Sequence, residues 1–481
     1  MATQLKTPGV YVVEENAFPN SVVEVATAVP AFIGYTEKAQ SGQQNLTGVP
    51  TPISSLAEYE LYFGGAPDTR ITFNEDGTLG APVGQFFLYL SLRLFFDNGG
   101  GPCYIVSAGD YSAAANAEQL TAPLLALEKF LDPTMVVIPD AMLLADGAAA
   151  NSVAEAVLAH CGKMQSRIGI FDVFDGFKPR TNGPDDVISG DKGFWSLSSG
   201  FLNYGVAYYP WLNTSLLADG AIDYTRVSDE SKPALATWLK RQASAAGLTG
   251  LEDLIGKISQ PSMVPDTHRA LAAALPAYRA AMNAIRQALN LLPPSGAMAG
   301  VYTRIDNNMG VYRAPANTGI NSAVSPAVNI DNVQQGELNV PLNGMAINAI
   351  RVLPGRGMVV WGARTLDGNS DDWRYVNVRR TAIMLEQSIK TALQAYVFAP
   401  NDVHTWATVN SMIRNFLTVQ WQQGALMGAK PEDAFSVAVG LGSTMSGNEL
   451  LDGYMNVSVK VALVRPAEFI VMTFQQQMAV S

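Results

Sequence analysis

The sequence predicts an α/β body (α+β over the whole chain), a smaller C-terminal α+β part, and an extended arm at each end. Three observations carry that expectation. Between residues 103 and 174, short apolar runs alternate with helical stretches: CYIVSAG at 103–109, an alanine-rich region at 113–130, PTMVVIPD at 133–140, a helix at about 148–163, and RIGIFDVF at 167–174. Apolar runs of that length between helices are the pattern of a mostly parallel sheet covered on both faces. Residues 212–292 then break the alternation, and their Ala, Leu and polar content with helical periodicity reads as an inserted helical segment on the outer surface. Finally, TPGVYVVE at 7–14 and EFIVMTFQQQ at 468–477 are strand-forming but have no hairpin partner beside them. A lone strand is unstable and needs a sheet edge, in this molecule or another.

Taken in order, VVEVATAVPAFIGYT at 22–36 reads as a buried strand ending at Gly34, and SSLAEYELYFGG at 54–65 as a short helix capped by Ser54 or Ser55. A helix over 83–97 should stop at the glycine run Gly99–Gly101. Within the insertion, helices are expected around 232–246 and 266–292, with Pro261, Pro265 and Pro276 as boundary markers. PPSGAMAGVYTRID at 293–306 returns to the main body, and 312–345 is loop-rich, with Pro315, Pro326 and Pro341. MVVWGARTL at 358–366 begins as a strand, and Ile383, Leu385, Ile389, Leu393 and Val397 follow at near-helical spacing. Asp402 should cap the next helix, whose apolar face carries Trp406, Val409, Ile413, Phe416 and Gln420. VSVKVALV at 457–464 alternates like a half-buried strand, and Pro466 separates it from the last extended segment. The resulting division is an N-terminal arm at 1–20, an α/β body at 21–345, a C-terminal part at 346–462 and an arm at 463–481.

The chain has 481 residues, 48% of them hydrophobic and 15% charged. The charged share lies below the roughly 25% of an ordinary globular protein. Either much of the surface is covered by partners or the core is large. A net charge of −11 argues against nonspecific nucleic-acid binding. Two cysteines, Cys103 and Cys161, make no disulfide framework and read as small buried hydrophobes in a reducing compartment. The N-terminal residues lack a signal-peptide core, and FFLYLSLRLFF at 86–96 is too short to span a bilayer and carries Arg93. The expectation is a soluble protein made in the cytoplasm, without membrane insertion.

Catalytic and cofactor chemistry is not expected. The histidines His160, His268 and His404 have no cysteine or histidine at metal-ligand spacing. There is no GxSxG elbow, P-loop or HExxH. The glycine runs at 99–101 and 440–447 lack the lysine of a phosphate loop. Asp185, Asp186 and Asp191 do not have EF-hand spacing and read as a solvated loop.

The order of four segments carries a resemblance: TPGVYV at 7–12, FFDNGGGPCYIV at 95–106, PPSGAMAGVY at 293–302, and the stretch from WGARTLDGNSDDWRYVNVRR at 361–380 to VRPAEFIV at 464–471. Together they resemble the tail sheath protein family of contractile phage tails and related contractile injection systems, least so over 212–290. The resemblance implies a subtilisin-like α/β domain without protease activity, since fold does not carry function. It implies no cofactor, and a subunit of stacked six-fold rings forming a helical sleeve around an inner tube. Baseplate and terminal cap proteins would be further partners. Terminal arms would add strands to neighbouring subunits: Val10, Tyr11, Val12 and Val13 at one end, and Glu468, Phe469, Ile470, Val471, Met472, Thr473 and Phe474 at the other. Tube contact would fall to the C-terminal part, with Arg379, Arg380, Lys390, Arg414 and Lys430 as candidates, unless these are ordinary solvated helix faces. Competing readings are another tail structural protein, such as a tube or baseplate subunit, and a hydrolase built on the α/β body. A tube subunit would be shorter and richer in strands.

Overall fold

The computed structural model describes residues 21–181, 183–260 and 264–472. The chain divides into two compact units: residues 26–383 with the segment beginning at Arg465, and residues 384–464 with the segment ending at Val25.

The large unit is built on an eight-stranded sheet. In chain order its strands are β1 (Pro30–Thr36), β2 (Thr51–Ile53), β3 (Cys103–Asp110), β4 (Met135–Val137), β5 (Ile168–Asp172), β6 (Gly205–Tyr209), β7 (Asn348–Leu353) and β8 (Gly357–Val360). Across the sheet the order is β8-β7-β6-β5-β4-β1-β3-β2. The six central strands run parallel, while β2 and β8 close the two edges antiparallel. Every residue of β1, β5 and β6 is buried, as a sheet covered on both faces requires.

Helix α1 (Leu56–Phe63) begins where expected, with the Ser55 side chain accepting from the Glu58 N–H. α2 (Leu88–Asp97) and α3 (Gly147–Met164) follow, and α4 (Ser295–Met309) starts on the PPSGAMAGVY segment. α2 and α4 touch backbone to backbone. A Cβ on Gly296 would lie 2.5 Å from the Ser91 carbonyl oxygen, and one on Gly300 would lie 2.4 Å from that of Phe95. The glycines of that segment therefore serve close packing.

The insertion has its own apolar core, with Leu235, Leu239, Leu271, Tyr278 and Ile285 packed around Ile71 and Phe73. The last two come from an antiparallel hairpin, Arg70–Phe73 with Leu79–Val83, which local patterning did not show. The expected helix at 266–292 is two helices, Val264–Ala274 and Pro276–Leu289, because Pro276 starts the second. Similarly, Pro123 divides 113–130 into short helices at 117–121 and 123–127. The strand expected at 22–36 begins only at Pro30, and the loop-rich 312–345 contains a strand, Ala323–Pro326, and a helix, Asn332–Asn339.

A boundary at 346 does not follow the sheet, since β7 and β8 extend the large one. The small unit contains the end of α5 (Val376–Leu393), then α6 (Val403–Gln422) and an antiparallel pair, β9 (Phe435–Val439) and β10 (Val457–Val461). Asp402 caps α6 by accepting from the Thr405 N–H at 2.9 Å, and Val409, Ile413, Phe416 and Gln420 lie on its buried face.

Candidate assembly surfaces

The sheet order reverses at β1, which has β3 on one side and β4 on the other. In open α/β sheets, the crevice beyond the strand ends at such a reversal is where ligands bind. Here the chain fills it with a carboxylate. Asp140, fully buried just after β4, accepts from the backbone N–H groups of Tyr35 (2.7 Å), Phe87 (2.6 Å) and Leu88 (3.2 Å). It thus caps α2, whose own N-cap side chain makes no such bond. Asp172, at the end of β5, does the same for α4, accepting from the Ser295 N–H at 2.7 Å and its hydroxyl at 2.5 Å. Burial pushes Asp140 up to about 6 and Asp172 up to about 7, against the pull of these donors.

The Asp172–Ser295 contact lacks what a nucleophilic site needs. Both residues are buried, and the histidines lie elsewhere. His160 sits 3.5 Å from Arg167, and burial pushes its imidazole down to about 4. The Nδ1 of His268 is 2.8 Å from the Tyr278 hydroxyl, and His404 is exposed. Asp186 departs from the solvated loop expected of it. It is buried and accepts from the N–H groups of Thr181, Ile188 and Ser189, tying its loop together. Cys103 and Cys161 are free and buried, and burial pushes the Cys161 thiol up to about 12.

Two of the five basic residues considered for tube contact are used inside the large unit, which corrects their assignment. Arg380 makes a bidentate ion pair with Asp306 (2.9 and 2.6 Å), donates to the Thr27 carbonyl at 3.0 Å and lies over the Tyr302 ring. Arg379 lies against the rings of Trp373 (4.3 Å) and Tyr204 (4.5 Å). Each is 4% exposed, so neither offers its charge to a partner. Lys390, Arg414 and Lys430 are exposed.

Val10, Tyr11, Val12 and Val13 lie outside the described residues, as do Thr473 and Phe474. Next to the N-terminal arm, the Val25 N–H donates to the Ser388 hydroxyl at 3.0 Å and the Gln420 amide donates to Glu24 at 3.0 Å, both within the small unit. The C-terminal arm departs from expectation at its first residue, because Glu468 has partners within its own unit. Its Oε1 accepts from Arg364 Nε (3.0 Å) and Asn339 Nδ2 (2.6 Å), and its Oε2 from Arg364 Nη2 (2.7 Å) and the Tyr375 hydroxyl (2.9 Å). Burial opposes the charge on Glu468, but these donors outweigh it and hold the carboxyl below its usual range. Phe469, Ile470, Val471 and Met472 are then 71%, 80%, 88% and 74% exposed. Arg364 belongs to the WGARTL segment and Glu468 to VRPAEFIV, so the two C-terminal sequence signatures meet in one ion pair. In the small unit, β9 and β10 form a sheet of only two strands, so each has one strand neighbour among the described residues.

The chain as a whole is similar to subunits of known assemblies. The helical sheath of the anti-feeding prophage in its contracted state matches 98% of this chain and all of its own, at 30% identity and a TM-score of 0.63. The chain belongs to the contractile tail sheath family. Residues 369–477 match the family model described as the phage tail sheath C-terminal domain. The sheath complex of the extracellular contractile injection system PVC, also contracted, is 28% identical over 99% of both chains, with a TM-score of 0.62. A chain of the six-fold symmetrised anti-feeding prophage baseplate is 29% identical over 99% of this chain and all of its own, with a TM-score of 0.64. No curated protein matches in sequence. The protein is a contractile sheath subunit, and the mixed α/β fold expected from the sequence is that of its relatives. Arg364, Tyr375 and Asn339 were not picked out by sequence reasoning; for Arg364 the signal was there, in the WGARTL segment itself.

Proposed function

We propose that this subunit polymerises into stacked six-fold rings around an inner tube, and that the sleeve shortens to drive the tube through a target envelope. The likeness to a contracted helical sheath along 98% of the chain carries the reading. The arms link subunits by adding strands to a neighbour, and the β9–β10 pair, in which each strand has one strand neighbour among the described residues, would accept them. Each backbone hydrogen bond so formed contributes roughly 0.5–1.5 kcal/mol net. Because such bonds lie in connectors, they survive rigid-body rotation of the bodies between them. The work of contraction comes from surface newly buried between bodies, at about 25 cal/mol per Å² of apolar area as an upper figure.

The extended sleeve is a metastable assembly that uses no nucleotide, cofactor or catalysis. Tube contact narrows to Lys390, Arg414 and Lys430, the exposed members of the basic set. The ends of the sleeve meet baseplate and terminal cap proteins, the subunit is made in the bacterial cytoplasm, and the acidic chain takes no nucleic acid. Negative-stain microscopy of the purified or co-expressed protein tests this. Striated sleeves or short wide tubes of one diameter are expected, and protein that forms none, with or without hydrolytic activity on ester or peptide substrates, would overturn it.

A further inference from the structure

The transition from Glu468 to Phe469 is abrupt. On one side stands a carboxylate whose oxygens each accept two hydrogen bonds: a side-on fork from Arg364, plus one neutral donor on each oxygen. On the other side run four apolar residues, each at least 71% exposed, with no backbone hydrogen bond to the described part of their own chain. The fork itself is rigidly held. The Arg364 side chain is 4% exposed, its Nη1 donates to the Gly368 carbonyl at 2.9 Å, and its ring neighbour is Tyr375. Its backbone is paired with Asn348 of β7: the Arg364 N–H donates to Asn348 Oδ1 at 2.7 Å, and Asn348 Nδ2 donates back to the Arg364 carbonyl at 2.8 Å. Asn348 Nδ2 also reaches the Ala207 carbonyl of β6 at 3.1 Å. Glu468 is thereby tied through Arg364 and Asn348 to two strands of the central sheet.

An apolar contact would tolerate sliding along the chain. A planar fork meeting a carboxylate with two further donors fixes one residue in one orientation. That matters for a segment that is to become a strand, because side chains alternate with period two and a one-residue slip exchanges its faces. We propose that Glu468 is the register pin of the C-terminal arm. Held by Arg364, Asn339 and Tyr375, it fixes the residue at which the arm leaves the body, and so which of the pairs Phe469/Val471 and Ile470/Met472 faces the acceptor. Glu468 acts by positioning, and the proposal rests on the sheath reading above.

The test compares sleeve formation, by sedimentation and negative-stain microscopy, for the wild type, Glu468→Gln, and insertions of one or two alanines between Glu468 and Phe469. The insertions leave the clamp intact, and circular dichroism checks that each monomer is folded. The one-alanine insertion should lower the sedimenting fraction about tenfold, because it turns the wrong face of the arm to the acceptor while the clamp stays intact. The two-alanine insertion restores the facing and should recover most of it, and Glu468→Gln should give fewer and shorter sleeves from folded monomer. One- and two-residue insertions that impair assembly equally, or a folded Glu468→Gln protein assembling as the wild type does, would overturn the pin. A wild type that forms no sleeves would instead remove the sheath reading on which it rests.

Discussion

Asp140 and Asp172 at the end of the central sheet, and Glu468 at the root of the C-terminal arm, are carboxylates used in opposite ways. The first two are buried without a cation and spend their oxygens on helix N-termini, so burial dominates and both are pushed up, to about 6 and about 7. Glu468 meets an arginine and two neutral donors at the boundary of the unit, so its donors dominate and it is pulled down. Asp140 fills the crevice in which an α/β enzyme would hold a ligand, and the two carboxylates hold α2 and α4 in place. The arm carboxylate leaves the next four residues uncovered. One arrangement closes the body and the other prepares a connection, and their responses to pH have opposite signs.

The largest effect is expected where an interior carboxylate does have a cation. Replacing Arg380 with alanine strands Asp306, whose side chain is 3% exposed, without its bidentate partner. Loss of one member of a buried pair costs about 3–5 kcal/mol, a large share of the roughly 5–15 kcal/mol by which domains are stable. Denaturant unfolding of the monomer measures it. A loss below about 1 kcal/mol, the scale of an exposed pair, would mean that the interior pair behaves like a surface one.

Asp172→Asn should reveal the sign of the capping carboxylates. Since the folded value of Asp172 is raised to about 7 from 3.8, its contribution is fully present below the unfolded value and is lost as pH rises towards 7. The asparagine does not titrate, so relative to the wild type it should gain stability across that window, by at most about 1.4 kcal/mol per pH unit. Thermal melts of unassembled protein at several pH values between those limits measure the gap. A gap that stays constant or narrows as pH rises would show that the donors from Ser295 outweigh burial at this site.

Much of this body was legible because strands and helices announce themselves locally. The runs at 103–109, 133–140 and 167–174 became β3, β4 and β5, and Ser55 and Asp402 cap the helices assigned to them. What failed depends on distant partners. Arg379 and Arg380 look like an exposed basic pair until a carboxylate 74 residues away and rings from other segments enclose them. Glu468 looks free because its partners stand 93 to 129 residues earlier. The boundary near 346 was misplaced because strand patterning shows that β7 and β8 exist but not which sheet they join. Gly205–Tyr209 escaped because a five-residue run between glycine and proline carries little periodic signal.

The smallest effect sharpens the contrast most. Tyr375→Phe removes one of the four donors to Glu468 and leaves the ring in place, which should cost the monomer about 0.5–1.5 kcal/mol at neutral pH. Glu468 is held below its usual range, so its contribution is present above the unfolded value and is lost as pH falls through the folded one. The Tyr375→Phe penalty should therefore shrink in acid, as pH falls through the lowered folded value and the acceptor loses its charge. The Asp172→Asn gap behaves in the opposite way, being smallest in acid and widening towards neutral pH. Melts of Tyr375→Phe and wild-type monomer at pH 7 and in acid decide it. Equal penalties at both would place the tyrosine's role in packing, and the arm root would then resemble the interior it is contrasted with.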